Sequence, residues 1–316
     1  MRTANILRGS YQVPILGQLA KDLHHPEHRH GRIVDSGKAG YNAHADLMHH
    51  PLLHHISNMH TIQVALLPEF ISKEEVRAAS LAIVIDTLRF TTTAVAALES
   101  GADSVRTCKE VATARELATE NPDWKLCGER DCKPIEGFAM GNSPLEYVEE
   151  VVSGKQLVFT TTNGTRAVAA ALPAGRIVLA SLTNRASICD LLKSQPENQP
   201  SIIFCAGTDG LVAMEDVMTA GAIIAGADCA SEGDSCAIAV AAWENATSRA
   251  EQRSIESEVE RVFRTCRGGA SLVTKGYERD LAAAARLDSA TAIPVAESPG
   301  VTDAAGSSVC FRKLSR

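Results

Sequence analysis

Past residue 60 the 316-residue sequence contains no histidine; all ten lie between His24 and His60. In that long stretch a Ser or Cys nucleophile has no imidazole partner, and phosphohistidine chemistry has no candidate. A basic surplus is missing too. With a formal net charge of -7 and a pI near 5.8, the chain has no excess charge with which to neutralise a nucleic-acid backbone, so nucleic acid is not an expected partner. No apolar run approaches the roughly 20 residues that span a bilayer, and Met1 to Ala20 is broken by Arg, Ser, Gln and Pro where a signal peptide needs an apolar stretch. The expected setting is therefore the cytoplasm, without a membrane partner. Aromatic residues make up only 4% of the chain, while Ala, Val, Ile and Gly abound, which suits helices packed closely on a sheet better than a β-sandwich. The nine cysteines, at 108, 127, 132, 189, 205, 229, 236, 266 and 310, include no CxxC pair. They read as reduced, mostly structural thiols; only Cys127 and Cys132, which flank Gly128-Glu129-Arg130, invite a metal or redox reading.

The histidines divide the chain. Residues 1–58 carry His24-His25, His49-His50 and His54-His55 without a long helical or alternating pattern, and read as a disordered or loosely attached arm. Residues 59–316 form the expected folded domain, either as one body or as two lobes of about 59–190 and 191–300 with related βα units. Met59 stands just before the first apolar strand, so a chain beginning there is expected to fold and keep its activity.

From Thr61 onward, short apolar strands alternate with Ala-rich helical stretches, the mark of βαβ units. Ile62 to Leu67, Leu81 to Ile85, Gln156 to Thr160 and Ile202 to Cys205 read as strands, with others at Ser104 to Cys108, Arg176 to Ala180 and Ala292 to Val295. Helices follow at Thr91 to Ser100, through Leu172, and up to Ala225. Phe90-Thr91-Thr92-Thr93 before an Ala-rich helix parallels Phe159-Thr160-Thr161-Thr162 before another, as an internal repeat would. The expected fold is a three-layer α/β/α sandwich around a mostly parallel or mixed sheet, in which ligands bind beyond the carboxyl ends of the strands.

Three strand ends carry residues suited to chemistry. Thr161-Thr162-Asn163-Gly164-Thr165-Arg166 runs into a helix N-terminus, where unpaired amides, hydroxyls and a guanidinium favour phosphate; an ordinary capped turn is the alternative. Asp86 and Arg89 follow a buried strand, where a carboxylate can hold a hard cation or simply pair with the arginine. Gly207 to Gly210 follows a third strand, with Glu215-Asp216 early in the next helix. Glu129-Arg130, Glu136-Gly137-Phe138 and Gly141-Asn142-Ser143-Pro144 read as a Gly- and Pro-rich loop. Gly268-Gly269 and Lys275-Gly276 could close over a ligand, and Asp280 draws interest from its neighbourhood.

Taken together, Ile85-Asp86-Thr87-Leu88-Arg89, Gly128-Glu129-Arg130, Ile135-Glu136-Gly137-Phe138, Gly141-Asn142-Ser143-Pro144, Thr160 to Thr165, Cys205-Ala206-Gly207-Thr208 and Glu215-Asp216 resemble the 2-phosphosulfolactate phosphatases of coenzyme M biosynthesis. The arm before Met59 lies outside that pattern, and Pro196 to Pro200 and Ser231 to Ser254 diverge from it. The resemblance implies a Mg²⁺-dependent hydrolase that converts 2-phosphosulfolactate to sulfolactate and phosphate. Another small hydroxy-acid phosphate, or a sensor that binds phosphate without hydrolysis, is the alternative.

On this reading Asp86, Arg89, Glu129 and Arg166 are catalytic, and Mg²⁺ is held by Asp86 with Glu129 or Asp216. Substrate would be bound by Thr91, Thr92, Arg130, Asn142, Thr162, Asn163, Gly164, Thr165, Gly207 and Thr208, with Arg130, Lys133 or Arg185 receiving the sulfonate or carboxylate. Whether Asp86 holds the metal or attacks phosphorus is open in the sequence; the ligand role is preferred. A homo-oligomer is compatible with all of this.

Overall fold

The computed structural model describes residues 61–315, apart from positions 197, 228, 249, 251–252 and 298–307. The His-rich arm and Met59 lie outside the described residues. Eleven strands form one sheet in the order β5-β4-β6-β3-β11-β10-β7-β2-β8-β1-β9. They are β1 (Thr61–Ala65), β2 (Leu81–Ile85), β3 (Ser104–Cys108), β4 (Lys125–Arg130), β5 (Lys133–Pro134), β6 (Gln156–Thr160), β7 (Ile177–Ala180), β8 (Ser201–Cys205), β9 (Ala230–Ser231), β10 (Pro294–Ala296) and β11 (Ser308–Lys313). The helices are α1 (Lys73–Ala78), α2 (Phe90–Glu99), α3 (Val111–Glu120), α4 (Glu149–Val152), α5 (Gly164–Ala171), α6 (Arg185–Lys193), α7 (Met214–Ala227), α8 (Asp234–Thr247), α9 (Ile255–Phe263), α10 (Arg267–Thr274) and α11 (Glu278–Ala284).

Two parallel blocks make up most of the sheet: β4-β6-β3 on one side and β7-β2-β8-β1-β9 on the other. Antiparallel β10 and β11 join them, β10 pairing with β7 and β11 with β3. The sheet is thus mixed. Strand β8 lies between β2 and β1, so strands before and after residue 190 interleave in one sheet. The strand alternation sorts side chains into two cores. Ala82 and Val84 of β2, with Ile202 and Phe204 of β8, face α2 and α5. Leu81, Ile83 and Ile85, with Ile203 and Cys205, face α6, α7 and α8. Covered on both faces, β2 and β8 are continuous apolar runs, as buried parallel strands are. A further cluster gathers Met218, Val259, Phe263, Leu272 and Leu281 where α9, α10 and α11 pack beside α7.

Several elements differ from the sequence reading. Glu129 and Arg130, expected in a loop, end strand β4. Gly128 allows it: a Cβ there would sit 2.1 Å from the Thr160 carbonyl oxygen, so only a bare backbone can run this close to β6. The strand expected at Ala292 to Val295 is shifted to Pro294–Ala296 and runs antiparallel. The final strand β11 had no expectation at all. All nine cysteines are free, in keeping with reduced thiols.

Candidate active site

The carboxyl ends of β2, β4, β6 and β8 surround a cavity of about 450 Å³, closed on another side by the start of α10. Its lining includes Asp86, Arg89, Glu129, Arg130, Asn142, Thr161, Thr162, Asn163 and Thr208, together with Asp131, Cys132, Asp209, Arg267, Gly268 and Ser271. Four strand ends thus bring together residues separated by more than a hundred positions in the chain.

Acids dominate the inner part. Asp86 follows β2 directly, and Phe90 N–H reaches its Oδ1 at 3.4 Å. Burial, then the Glu129 charge and, less strongly, Glu215 push its carboxyl up from 3.8 to about 7. Gly164, at the start of α5, makes room for it: a Cβ there would lie 2.7 Å from Asp86 Oδ2. Glu129 is held by three donors, its Oε1 accepting from Thr162 N–H at 3.0 Å and the Thr162 hydroxyl at 2.9 Å, its Oε2 from Cys132 N–H at 2.8 Å. Glu215 is 2% exposed, and its Oε2 has no hydrogen-bond partner; burial raises its pKa. Gly268 abuts this side chain, since a Cβ there would come 2.3 Å from Glu215 Oε1. No ion pair among the described residues involves Asp86, Glu129, Glu215 or Asp216.

Asp216 is differently placed. Its Oδ1 accepts from Thr87 N–H at 2.8 Å and its Oδ2 from Gly207 N–H at 3.0 Å, which ties the ends of β2 and β8 together. Burial and the neighbouring Glu215 and Asp86 raise its pKa well above the usual value. The residue expected to bind metal therefore braces the floor, and its neighbour Glu215 has the unpartnered oxygen.

The cations divide in the same way. Arg89 is buried in a paired network: its Nη1 donates to Asp280 Oδ2 and its Nη2 to the Cys132 carbonyl, both at 2.8 Å, with the Tyr277 ring 4.4 Å from the guanidinium carbon. Ser143 Oγ donates to the other Asp280 oxygen at 2.6 Å. Arg130 donates only to neutral oxygens, the Glu129 and Lys109 carbonyls and the Thr160 hydroxyl. Arg166 turns away from the cavity, donating to the Ala206 carbonyl at 3.2 Å and lying 3.8 Å from Glu69 at the surface.

In the expected phosphate cradle several groups already have partners within the chain. The Thr162 amide and hydroxyl are taken by Glu129, and the Thr165 hydroxyl donates to the Thr161 carbonyl. Thr91 Oγ1 accepts from Asp86 N–H and the Thr92 hydroxyl donates to the Thr87 carbonyl, so both hold the β2–α2 turn. Gly207, with a φ of +69°, shapes the turn after β8 against Leu67. Thr161 Oγ1 and Asn142 Oδ1, by contrast, are buried in the lining without a hydrogen-bond partner. Neither Lys133, on β5, nor Arg185, which is paired with Asp288 from α6, lines the cavity.

Sequence reasoning missed Asp131, Cys132, Arg267 and Ser271 as lining residues. Asp131 and Cys132 form the two-residue turn between β4 and β5, both at positive φ (53° and 62°). Such hairpin turns usually announce themselves by Asn-Gly or Asp-Gly, and this one does not.

Among the described residues, no three His, Cys, Asp or Glu side chains form a ready-made metal cage, and no helix is long and apolar enough to cross a membrane. The 2-phosphosulpholactate phosphatase family profile matches residues 65–299. Three relatives are each named a probable 2-phosphosulfolactate phosphatase. The one from Symbiobacterium thermophilum is 37% identical over 224 residues, covering 69% of this chain and 91% of the relative. That from Thermotoga maritima is 36% identical over 200 residues, covering 63% and 82%. That from Caldanaerobacter subterraneus is 43% identical over 143 residues, covering 45% and 58%. The matched span contains every strand end that builds the cavity, and the chain belongs to the 2-phosphosulfolactate phosphatase family.

Proposed function

We propose that the cavity hydrolyses 2-phosphosulfolactate to sulfolactate and inorganic phosphate with the help of Mg²⁺. The observation that carries this reading is the buried acid group at the strand ends, Asp86 and Glu215 above all, which forms no ion pair among the described residues and in which a Glu215 oxygen has no hydrogen-bond partner. Left alone, such a group repels a phosphate dianion as well as its own members. A hard cation removes both penalties, and the donor set is chemically suited to one: carboxylate oxygens, with no thiolate or imidazole required. A preformed three-ligand cage is not needed, because Mg²⁺ commonly keeps water and substrate oxygens in its shell.

Asp86 and Glu215 would hold the ion, with Glu129 beside them. Glu215 replaces Asp216 in this role because both Asp216 oxygens already accept backbone N–H groups. When bound, Mg²⁺ supplies positive charge that neutralises phosphoryl oxygens as the ester bond breaks. The chain's own groups bind and orient. Arg130, whose charge faces only neutral acceptors, and the unpartnered Thr161 hydroxyl would donate to phosphoryl oxygens. Arg89 is fixed by Asp280 and the Cys132 carbonyl, so it contributes a field and a rigid wall more than a free fork. Arg166 is committed to Ala206 and is assigned no part in the clamp. Chemically, water oxygen forms a new bond to phosphorus and the bond from phosphorus to the C2 oxygen breaks; one proton of the water passes to the released C2 oxygen and the other stays with the phosphate.

The test is release of inorganic phosphate from 2-phosphosulfolactate by the full chain in Mg²⁺ and in EDTA. Release that depends on Mg²⁺ is expected. Equal release in both would remove the metal from the mechanism, and release in neither would overturn the activity.

A further inference from the structure

The cations near the cavity form two classes. Arg89 is neutralised by Asp280, and Lys275 pairs with Asp131 at the rim. Among the described residues Arg267 has neither an ion pair nor a side-chain hydrogen bond, yet it lines the cavity. It is the first residue of α10, and its position is not free to drift. The next residue, Gly268, is pressed against Glu215, and Gly269 approaches Phe263 so closely that a Cβ would lie 1.8 Å from that carbonyl oxygen. The Cys266 sulfur accepts from Gly269 N–H at 3.4 Å, capping the same turn. A packed first turn therefore holds a long, uncommitted guanidinium at the edge of a chamber whose floor is acidic.

Thr161 Oγ1 and Asn142 Oδ1 are independent signs that this chamber receives a polar ligand, for each residue is at least nine-tenths buried and each atom lacks a partner. The ligand of the proposed reaction has anionic groups besides the transferring phosphate, a carboxylate and a sulfonate. Arg130 and the acid floor with its cation account for the phosphate, but nothing assigned so far meets the other charges. Burying them without a cation would be costly.

Resting on that reading of the site, we propose that Arg267 is a specificity-determining residue that receives the non-transferring anion of the substrate, carboxylate or sulfonate. A guanidinium suits either group, because its planar pair of N–H donors matches two oxygens at once. Arg267 is exposed and also lines the cavity, so a ligand entering from solvent can reach it. Contacts made equally with substrate and transition state lower KM and leave kcat nearly unchanged.

The test compares Arg267→Gln and Arg267→Lys with the unaltered full chain in Mg²⁺. The substrates are 2-phosphosulfolactate, 2-phospholactate, which lacks the sulfonate, and isopropyl phosphate, which lacks both extra anions. For Arg267→Gln, kcat/KM on 2-phosphosulfolactate should fall about 10- to 100-fold, the range for one charge-assisted pair, mainly through KM. The fall on isopropyl phosphate should be far smaller, and Arg267→Lys should recover part of the loss. If 2-phospholactate shows the full loss, the carboxylate is the partner; if its loss is small, the sulfonate is. Equal losses on all three esters, or none on any, would overturn the proposal.

Calorimetric binding of sulfolactate separates this inference from the phosphatase reading. Should the unaltered chain bind sulfolactate and Arg267→Gln bind it at least 10-fold more weakly while no ester is hydrolysed, the anion subsite stands and the activity falls. Equal binding by both proteins would sink the subsite whatever the activity.

Discussion

Two groups of buried charge lie side by side around the cavity, and they are built on opposite principles. Arg89 and Asp280 neutralise each other at 2.8 Å, and Ser143, the Cys132 carbonyl and the Tyr277 ring satisfy what remains. Asp86, Glu129, Glu215 and Asp216 are equally buried, but they are acids of one sign, held by backbone amides and the Thr162 hydroxyl in place of an ion pair. A paired network stabilises only itself and leaves nothing for a ligand. An unpaired one is a standing penalty in the folded chain, and a bound cation can relieve it. The contrast teaches where to look for chemistry: beside the buried charges that the protein leaves uncompensated.

Breaking the paired group should give the largest effect. Asp280→Ala leaves the Arg89 guanidinium buried without a counter-charge, and a loss of roughly 3–5 kcal/mol is expected. Urea denaturation would measure it, and a loss below about 1 kcal/mol would show that Arg89 escapes to water and that the network is not a fixed wall.

Relieving the unpaired group should act in the opposite direction on stability. Asp86→Asn is expected to lower turnover by roughly 10²–10³-fold, the usual cost of removing one group that manages transition-state charge. In EDTA the same change should stabilise the fold at neutral pH. Burial and the neighbouring acids lift Asp86 from 3.8 to about 7, so the folded chain holds a proton that the unfolded chain releases near pH 4. Cation-free stability should therefore decline as the pH climbs from about 4 to about 7, and Asp86→Asn should flatten that decline. Denaturation midpoints at about pH 5 and about pH 8 in EDTA would check both signs; a variant as pH-sensitive as the parent would place the strain elsewhere.

A finer comparison concerns Gly268 and Gly221. At Gly268 the added Cβ meets the tip of the Glu215 side chain, at 2.3 Å, which can swing aside. Gly268→Ala should then cost little stability but displace the free carboxylate and reduce Mg²⁺-dependent turnover about 10-fold. At Gly221 in α7 the Cβ would meet the Ala239 carbonyl of α8 at 1.9 Å, and backbone cannot swing. Gly221→Ala should instead lower the melting temperature and leave residual turnover tracking the folded fraction. Matching stability losses for the two would mean that Glu215 is as rigid as backbone. The smallest effect belongs to the rim: Lys275→Ala removes an exposed pair with Asp131 and should scarcely move the melting temperature, because such pairs contribute little in water. A clear drop would make the rim part of the stable core.

Much of the scaffold was legible in the residues. Leu81 to Ile85 and Gln156 to Thr160 are strands as read, because a strand buried on both faces carries an unbroken apolar run through its middle and gives way to polar residues at its end. The same logic placed Asp86 and Thr161 at strand ends, and the ligand side of the sheet with them. Strand β4 was not legible. Its Gly128 and three charged residues argue locally for a loop, and only the close approach to β6 makes them a strand. The resemblance of the two Thr-rich segments likewise says nothing about where the hydroxyls point: Thr91 and Thr92 serve their own turn, while Thr161 faces the cavity unpartnered.

By itself, the sequence determined the α/β class, the strand ends that carry acid and hydroxyl groups, and a folded region without histidine, since these depend on composition and on the period of apolar residues. Tertiary structure alone decided which acids stay free. Asp216 and Glu215 are neighbours on one helix and indistinguishable by local pattern, yet two backbone amides just past the ends of β2 and β8 claim the first, while an oxygen of the second is without a partner. It also brought Arg267 to the cavity across nearly two hundred residues. Such choices turn on the direction of single side chains and on contacts between distant strands, and no spacing along the chain encodes them.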